Sequence, residues 1–512
     1  MGIIRPQLPT EIDAINSRNM KLRHMILLAG MVLSLLPLTA KDFLATDFGA
    51  AGNNQKLNTN AIQTAIDHIA RKGGGRLVFT PGTYLTGSIQ LKSNVEIHLQ
   101  RGAVIKGSPN SRDYSPINDT PSGSTKRNDD SRLALILARQ ATGIALTGEG
   151  TIDGNGLLVA LDADSLHHAG IRVDPNYNTR RKRPSELVRP KLFYFQECSN
   201  VLISSLRLTN SACWGLSFDQ CRDMRLEHLT IRNRAYWNND GIDLTDCRRV
   251  RVTQCDVDAA DDAICLKSSH PESCNDSIEI DNCSVRSSAS AVKFGTASYG
   301  GFRNIRISNI RVRDTFRSAI ALECVDGGIL ENIDVSDIEA HNTGNAIFIR
   351  LGARDGKRPG VLRHVSIRRL YCEVPFGRPD INYDLRGPEV DFFHNPFPSS
   401  ITGLTDNKVS DILLQDIEIV CPGRATKGMA YMPLSRLKDV PEQAGAYPEF
   451  SMFGELPAWG LYVRHADGIR LDNVRLRLKD SDFRPAVVLD DVTRFQQHDV
   501  MAPGGIFRHH SE

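Results

Sequence analysis

Three carboxylates lie close together in the stretch NNDGIDLTDCRRVRVTQCDVDAADDAICLKS, residues 238 to 268. Asp240 follows two asparagines, and Asp261 and Asp262 stand side by side further along. Each group is followed at once by a short apolar segment with β-strand composition, GIDL or AICL. If those two strands are neighbours, the three acids meet where the strands begin. They cannot all ionise cheaply there, so we expect them to share a proton.

A shared proton is what glycoside hydrolysis requires, because one carboxylic acid protonates the leaving oxygen while other carboxylates draw a proton from water. One alternative is that these aspartates only cap turns, which is favoured for any single one, such as Asp243. Three converging acids argue against it, since their repulsion costs stability. A second alternative is a Ca²⁺ site.

The segments that would position these acids form a repeat. Cys198, Cys221 and Cys247 each open a similar phrase, CSNVLI, CRDMRL and CRRVRV, and in the central region the phrase recurs every 23 to 32 residues. Each period contains short strands separated by Asn, Asp and Gly. This period is typical of a solenoid, and three short strands per turn predict an all-β parallel β-helix. The cysteines of the repeat are expected to stack inside it as small hydrophobes rather than to form disulfides.

Laying the coils over one another predicts which side chains share a face. One column starts the strands, with Trp214 one coil earlier as either a sugar platform or packing: Asp240, Asp262, Ser290, Ser318 and Asn345. A second column points inward: Ile242, Ile264, Val292, Ile320 and Ile347. A third points outward, with Glu323 and Arg350 two residues further on: Asp243, Cys265, Lys293, Ala321 and Phe348.

The ends and insertions of the chain can also be read. Residues 20–40 have the basic start and short apolar run of a signal peptide, so residues 1–40 are read as a leader. Residues 41–500 are predicted to form a single β-helix domain, followed by a tail at 501–512. The segment NTNAIQTAIDHIARKGGG predicts an amphipathic helix that caps the N-terminal end. Long spacings predict loops at 109–131, 157–189, 374–407 and 421–458.

Composition excludes some partners. The chain has 62 basic and 60 acidic residues, a balance that gives no nucleic-acid footprint. No segment other than the leader is apolar enough to suggest insertion into a bilayer, and the leader is too short for a comfortable span. The histidine sites lack metal-ligand spacing, and no cofactor is expected. We therefore predict an exported, periplasmic or extracellular monomer.

These motifs resemble those of glycoside hydrolase family 28, the polygalacturonase family. NND with GID resembles the family's N-T-D motif, DDAICLKS its D-D motif, and YPEFSMFGELPAWGLYVRHADGIRLDNVRL its C-terminal phrase in bacterial members. The resemblance implies a right-handed parallel β-helix and inverting hydrolysis of α-galacturonosyl bonds in pectic polymers or oligomers. It implies that Asp261 is the acid, that Asp240 and Asp262 position the water, and that Asn238 contacts substrate.

Two departures from the family pattern stand out. The G-H-G motif falls on ASA, so Ser290 replaces its histidine, and the R-I-K motif falls on FIR, with Phe348 and Arg350 in place of the two cations. Phe348 is then expected to put an apolar ring beside the sugar, which predicts tolerance of a less polar neighbour. Arg350 is expected to bind a galacturonate carboxylate. Lys293 is a candidate second cation, or else a surface lysine or the partner of Glu323.

The sequence thus predicts a metal-independent pectic hydrolase. Exo action is preferred, because the insertions at 109–131, 157–189 and 374–407 could close a groove into a pocket. The alternatives are β-elimination by a pectate-lyase-like enzyme with Ca²⁺, and a carbohydrate-binding β-helix without activity. The three retained acids favour hydrolysis.

Overall fold

The structure is a computed structural model, and it describes residues 41–117, 131–354, 356, 360–380, 397–426 and 433–509. From Phe43 onward these residues form one compact unit. Nearly all of its regular structure is strand, and every pairing between strands is parallel, one coil to the next. The fold is a right-handed parallel β-helix, as the repeat predicted. The leader at 1–40 lies outside the described residues.

Three parallel sheets run along the helix. Sheet A is made of Ile89–Leu91, Ala134–Arg139, Lys191–Gln196, Leu216–Asp219, Ile242–Thr245, Ile264–Ser268, Val292–Ser298, Ser399–Thr402, Val487–Thr493 and Ile506–His509. Sheet B is made of Asp42–Leu44, Gly75–Phe79, Val95–Leu99, Thr142–Gly148, Ser199–Ser204, Arg222–Glu227, Arg248–Thr253 and Gln496–Met501. Sheet C is made of Asn53–Leu57, Gly82–Thr86, Ala103–Gly107, Thr151–Asp153, Arg207–Thr209, Thr230–Asn233 and Asp256–Ala259.

In the later coils the strands run around the corners without a break. These long strands, which contribute to two or three sheets each, are Asn275–Ser287, Gly301–Cys324, Ile329–Leu351, Val361–Glu373, Val409–Cys421 and Leu461–Leu478. Single residues with positive φ turn the corner between sheets B and C in successive coils: Ser205, His228, Gln254, Asn282, Asn309 and Asp337. A one-residue left-handed corner keeps the coils in register, since no loop length varies there.

The interior is apolar, as the inward column predicted. Ile242, Ile264, Val292, Ile320 and Ile347 pair in register and are fully buried. All 11 cysteines are free and buried. Cys198 and Cys221 stack on successive coils, where the Cys198 N–H lies 3.4 Å from Cys221 Sγ. The prediction of a ladder of small hydrophobes rather than disulfides is confirmed.

Two α-helices flank the coils. Helix α1, Thr59–Arg71, buries Ile62, Ile66 and Ile69 against the first strands, as the amphipathic pattern predicted. Helix α2, Gly156–His168, begins the 157–189 insertion, where the sequence predicted only a loop. Short 3-10 helices lie at Ala45–Phe48, Ser111–Asp113, Glu186–Val188 and Leu434–Asp439. No helix in the described part of the chain is long and apolar enough to span a bilayer.

Candidate active site

The acids stand in the predicted column at the start of sheet A. Backbone hydrogen bonds join successive coils there, from Gly215 N–H to the Asp240 carbonyl at 2.9 Å and from Gly241 N–H to the Asp262 carbonyl at 3.0 Å. The next bond, from Ala263 N–H to the Ser290 carbonyl, is also 3.0 Å. Asp240 and Asp262 therefore occupy the same position on neighbouring coils, which lie about 4.8 Å apart.

Asp261 is fixed beside this column by its own backbone. Its N–H donates to the Asn239 carbonyl at 3.3 Å, and its Oδ1 accepts from the Asp262 N–H at 3.1 Å. Asp240, Asp261 and Asp262 are each less than one tenth exposed. The structure brings together the three carboxylates that the sequence singled out.

Lys267 lies among the acids of the first coil, a contact that the sequence reading missed. Its Nζ donates to Asp240 Oδ2 at 3.1 Å and also to Asp243 Oδ1. Asp243 is completely buried, and its other oxygen has no hydrogen-bond partner among the described residues. One lysine thus serves two buried carboxylates of the same coil.

Lys293 performs the corresponding task for the second coil. Its Nζ donates to Asp262 Oδ2 at 3.0 Å and to the Tyr447 hydroxyl at 3.1 Å. The other oxygen of Asp262 accepts the Ser290 N–H at 3.1 Å. Lys293 is therefore buried and paired with Asp262, so it is not the predicted surface lysine, and Glu323 is a further negative charge that acts on it.

Burial and nearby charges shift the pKa values of the two stacked aspartates in opposite directions. Burial raises the pKa of Asp240 well above its ordinary value, and the nearby Asp243 carboxylate raises it further against the opposing charge of Lys267. Burial also pushes the pKa of Asp262 upward, but Lys293 and Arg317 outweigh it, and that pKa is lowered. A proton is therefore favoured on Asp240 over Asp262, and its sharing among the three acids stays a prediction.

Two further glutamates line the next part of the site. Glu323 is 2% exposed, and burial raises its pKa to about 8. Glu449 comes from the 421–458 insertion, lies 2.8 Å from Arg317 through Oε2 and Nε, and has a pKa that burial raises to about 7. Arg317 in turn donates its backbone N–H to the Ala289 carbonyl at 2.8 Å, beside the Ser290 position.

Arg350 has different partners from those expected of a substrate-binding cation. It is 1% exposed, and its guanidinium donates to the Gly403 carbonyl at 3.1 Å and to the Glu442 carbonyl at 2.7 Å. Register places it three coils beyond Asp262, roughly 14 Å along the axis. In this arrangement Arg350 fastens a loop to the coils and does not face the acids.

Phe348 is also covered. It lies in an apolar cluster with Phe397, Phe450, Phe453 and Tyr462. The expectation that its ring faces the sugar is wrong, because the 421–458 insertion packs over it. A less polar neighbouring sugar is therefore no longer predicted, because that prediction needed the ring to face the substrate.

Asn238 lies on the N-terminal side of the acids. It has a left-handed backbone, φ 55°, and its Oδ1 accepts from Arg189 at 2.8 Å. Arg189 also donates to the Trp237 carbonyl at 2.7 Å, and Arg183 lies 4.0 Å from the centre of the Trp237 ring. The 157–189 insertion therefore holds this side of the site in place.

Trp214 stands one coil before Asp240, as predicted. Its ring centre lies 4.2 Å from Lys267 Nζ and 4.5 Å from Lys191 Nζ, and the residue is 9% exposed. A ring with two ammonium groups at this distance contributes to holding the lysine that serves Asp240. Its position favours the packing role over the sugar platform.

Insertions close the site on several sides. The outward side chains of the coils after Lys293, including Ala321 and Phe348, are buried under residues of the 421–458 insertion. On another side, Asp380 accepts from Ser288 Oγ at 2.5 Å and from Arg234 at 2.9 Å. Residues 118–130 and 381–396 of the insertions at 109–131 and 374–407 lie outside the described residues, so the contribution of these loops to the wall stays a prediction.

This geometry matches a known family. Residues 83–350 match the profile of "Glycosyl hydrolases family 28". The chain belongs to that family. It is 25% identical to "Probable polygalacturonase" of Vitis vinifera over 67% of this chain and 63% of that protein. It is 29% identical to "Exo-poly-alpha-D-galacturonosidase" of Dickeya chrysanthemi, over 43% of this chain and 40% of that protein.

A solved structure supports the fold. The exopolygalacturonase of Thermotoga maritima aligns with a TM-score of 0.61 and 22% identity, covering 85% of this chain and 92% of that one. The chain spans less than two thirds of the length of the first curated relatives that it matches. The family match ends at residue 350, so Tyr447 and Glu449 come from outside it.

The residues that the sequence reading missed carried faint signals. Lys267 stands in DDAICLKS at an outward position, two places beyond Cys265, so alternation along the strand could have shown it. Tyr447 and Glu449 stand in the phrase YPEF, which contributed to the family resemblance but was assigned no role in the site. Within the described residues, no group of three or more His, Cys, Asp and Glu is arranged to hold a metal ion.

Proposed function

We propose that this family 28 member hydrolyses α-linked galacturonosyl bonds in pectic polymers or oligomers, with inversion and without a cofactor. The observation that carries the proposal is the juxtaposition of Asp240, Asp261 and Asp262 on adjacent coils, with lysines bound among them. A pair of carboxyl groups in different protonation states is what an inverting hydrolase needs.

The roles follow the family pattern. Asp261 donates a proton to the leaving oxygen, and Asp262, kept ionised by Lys293, accepts a proton from the attacking water. Asp240 orients that water, and the buried lysines limit how many of the acids carry charge. An approaching uronate meets a site in which Lys267, Lys293 and Arg317 offset part of the acids' negative charge.

Exo action is the finer part of the proposal. Ala321 and Phe348, on the coils that follow Lys293, are covered, so a long polymer cannot continue along sheet A in that direction. The relative from Dickeya chrysanthemi carries an exo-acting name. A groove closed at one end accommodates a chain end, and the product is then released one unit at a time.

The lysines also speak against the lyase alternative. A Ca²⁺ ion between these acids would need the carboxylate oxygens that Lys267 and Lys293 already occupy. We therefore expect a chelator to leave the rate unchanged. Loss of activity on chelation, restored by Ca²⁺, would favour β-elimination, and sugar binding without products would favour a binding protein.

The test uses oligogalacturonides labelled at the reducing end. Exo hydrolysis from the other end shortens the labelled chains by one sugar at a time and releases saturated galacturonate. A random ladder of labelled fragments would contradict exo action, and unsaturated products would contradict hydrolysis. We further propose export through the leader at 20–40, which N-terminal sequencing of the secreted protein would test.

A further inference from the structure

The phrase AYPEFSMF, residues 446–453, alternates between two tasks. Phe450, Met452 and Phe453 are buried in the apolar cluster over the coils that follow Lys293. Just before these anchors, Tyr447 and Glu449 reach the catalytic coils. The apolar residues thus anchor the segment to the coils, and this places its polar residues in the site.

Tyr447 meets the first of two cations. Its hydroxyl accepts from Lys293 Nζ at 3.1 Å, and the same Nζ donates to Asp262 at 3.0 Å. The lysine is 2% exposed, whereas Tyr447 is 48% exposed. One side of Lys293 is therefore held by the acid and the other by a phenol at the mouth of the site.

Glu449 meets the second cation. Its Oε2 lies 2.8 Å from Arg317 Nε, and both residues are at most 4% exposed. After Lys293, Arg317 is the charge that most lowers the pKa of Asp262. Two neighbouring residues of one loop therefore contact the two cations that act on one carboxylate.

We propose that Tyr447 and Glu449 are positioning residues of the active site, which fix Lys293 and Arg317 beside Asp262 so that this carboxylate can act on water. The inference deepens the proposed function and rests on it, since Asp262 must be ionised there. It assigns a task to a segment that lies beyond the family match.

The two residues should act on Asp262 in the same direction, through the two cations that they hold. The titratable and charged groups that face Asp262 are Lys293, Arg317, Lys267, Asp240, Asp243, Asp261, Cys265, Glu323 and Glu449. Without the Tyr447 hydroxyl, Lys293 is held less firmly and favours ionised Asp262 less. The pKa of Glu449 is raised to about 7, so this residue is uncharged at the lower pH at which Asp262 titrates, and its effect there is to hold Arg317 in place. Without the Glu449 side chain, Arg317 is held less firmly and also favours ionised Asp262 less.

The test compares four variants of the full chain. Tyr447→Phe should lower kcat by about 10-fold and move the acidic limb of the pH–rate profile up by about half a unit. Glu449→Ala removes the group that holds Arg317 and should move that limb up by about the same amount. Glu449→Gln keeps an oxygen for Arg317 and resembles the uncharged Glu449 present at this pH, so it should leave the limb in place. Glu442→Gln is the matched control, because its carboxylate holds the same insertion through the Thr405 N–H and hydroxyl, away from the cations.

A second readout needs no substrate. Difference infrared titration against Asp262→Asn follows the Asp262 carboxylate itself in each variant. Upward shifts for Tyr447→Phe and Glu449→Ala, with none for Glu449→Gln and Glu442→Gln, support the inference. If the titration shifts while the wild type cleaves no galacturonide, the positioning role stands and the proposed function falls. If the wild type is active and the shifts are missing, or match those of Glu442→Gln, the inference is overturned.

Discussion

Two neighbouring coils carry an aspartate at the same backbone position and give it opposite properties. Asp240 shares its lysine with a second buried acid, Asp243, and its pKa is raised. Asp262 is the carboxylate to which Lys293 donates, it lies near Arg317, and its pKa is lowered. The repeat places both carboxylates alike, so the difference comes from outward residues of each coil and from a loop.

In this solenoid, different parts of the structure determine the position of each acid and its charge. Backbone register determines where the acids stand, since successive coils are spaced like strands of a sheet. The charge of each acid depends on one or two nearby side chains, such as Asp243 on the coil of Asp240 and Lys293 on the coil after that of Asp262. A repeated scaffold can therefore give two carboxyl groups at identical positions different affinities for a proton.

The largest effect is expected where the two coils meet, at Asp261. Asp261→Asn should lower turnover of the best galacturonide by about 10³-fold, because an amide cannot act as a general acid. Folding should be nearly unchanged, since the amide is isosteric and relieves repulsion. The thermal unfolding midpoint and the initial rate are measured together.

Asp281→Asn is the matched control for that variant. Asp281 is also nearly buried, but its Oδ1 accepts from Ser308 at 2.9 Å at a corner of the coil. It should keep its turnover. Near-normal turnover in Asp261→Asn would show that Asp261 is not the acid.

The next largest effects are expected from replacing the two buried lysines, one at a time. Lys293→Met leaves Asp262 with less positive charge around it and should lower kcat/KM by about 100-fold, with a stability loss of about 3 kcal/mol at neutral pH. Lys267→Met leaves two acids that already favour protons, so its loss of activity should be smaller. Chemical denaturation and kinetics at one pH measure both effects.

The loss of stability caused by Lys293→Met should depend on pH in a definite direction. The folded pKa of Asp262 is depressed, so its stabilising contribution is present above its ordinary pKa of 3.8 and is lost as pH falls through the folded value. Lys293→Met should therefore differ from the wild type at neutral pH and approach it in acid. A constant difference at all pH values would contradict the ion pair.

Glu323 offers a stability test of the same cluster. Its pKa rises from 4.5 to about 8 on folding, so the folded protein loses stability as pH rises between those values. Glu323→Gln should match the wild type below pH 4.5 and unfold at a higher temperature than the wild type above pH 8. Melting curves across this range measure the difference, and a variant that is less stable at high pH would refute the assignment.

The smallest effect on specificity is expected at Arg350. Because its donors serve the carbonyls of Gly403 and Glu442, Arg350→Met should reduce stability by about 2 kcal/mol. Its kcat/KM should fall equally for galacturonate and methyl-esterified substrates. A loss confined to the free carboxylate would restore the role that the sequence suggested.

The sequence alone was sufficient to predict the features that the repeat specifies. The inward isoleucines, the cysteine ladder and the stacking of Asp240 on Asp262 follow from a local period, so they could be predicted. The contact between Lys293 and Tyr447 joins residues 154 positions apart, and no periodicity records it. Helix α2 was missed because its apolar residues lie on both faces, with Val159 buried and Leu158 half exposed.

The central claim is inverting hydrolysis by the acids of two adjacent coils. The most direct measurement is a ¹H NMR time course of trigalacturonate with the wild-type protein, which records the anomer of each new reducing end before it mutarotates. Inversion predicts that a saturated β-galacturonose end appears first, because the linkage cut is α. An α end appearing first, or an unsaturated sugar, would contradict it.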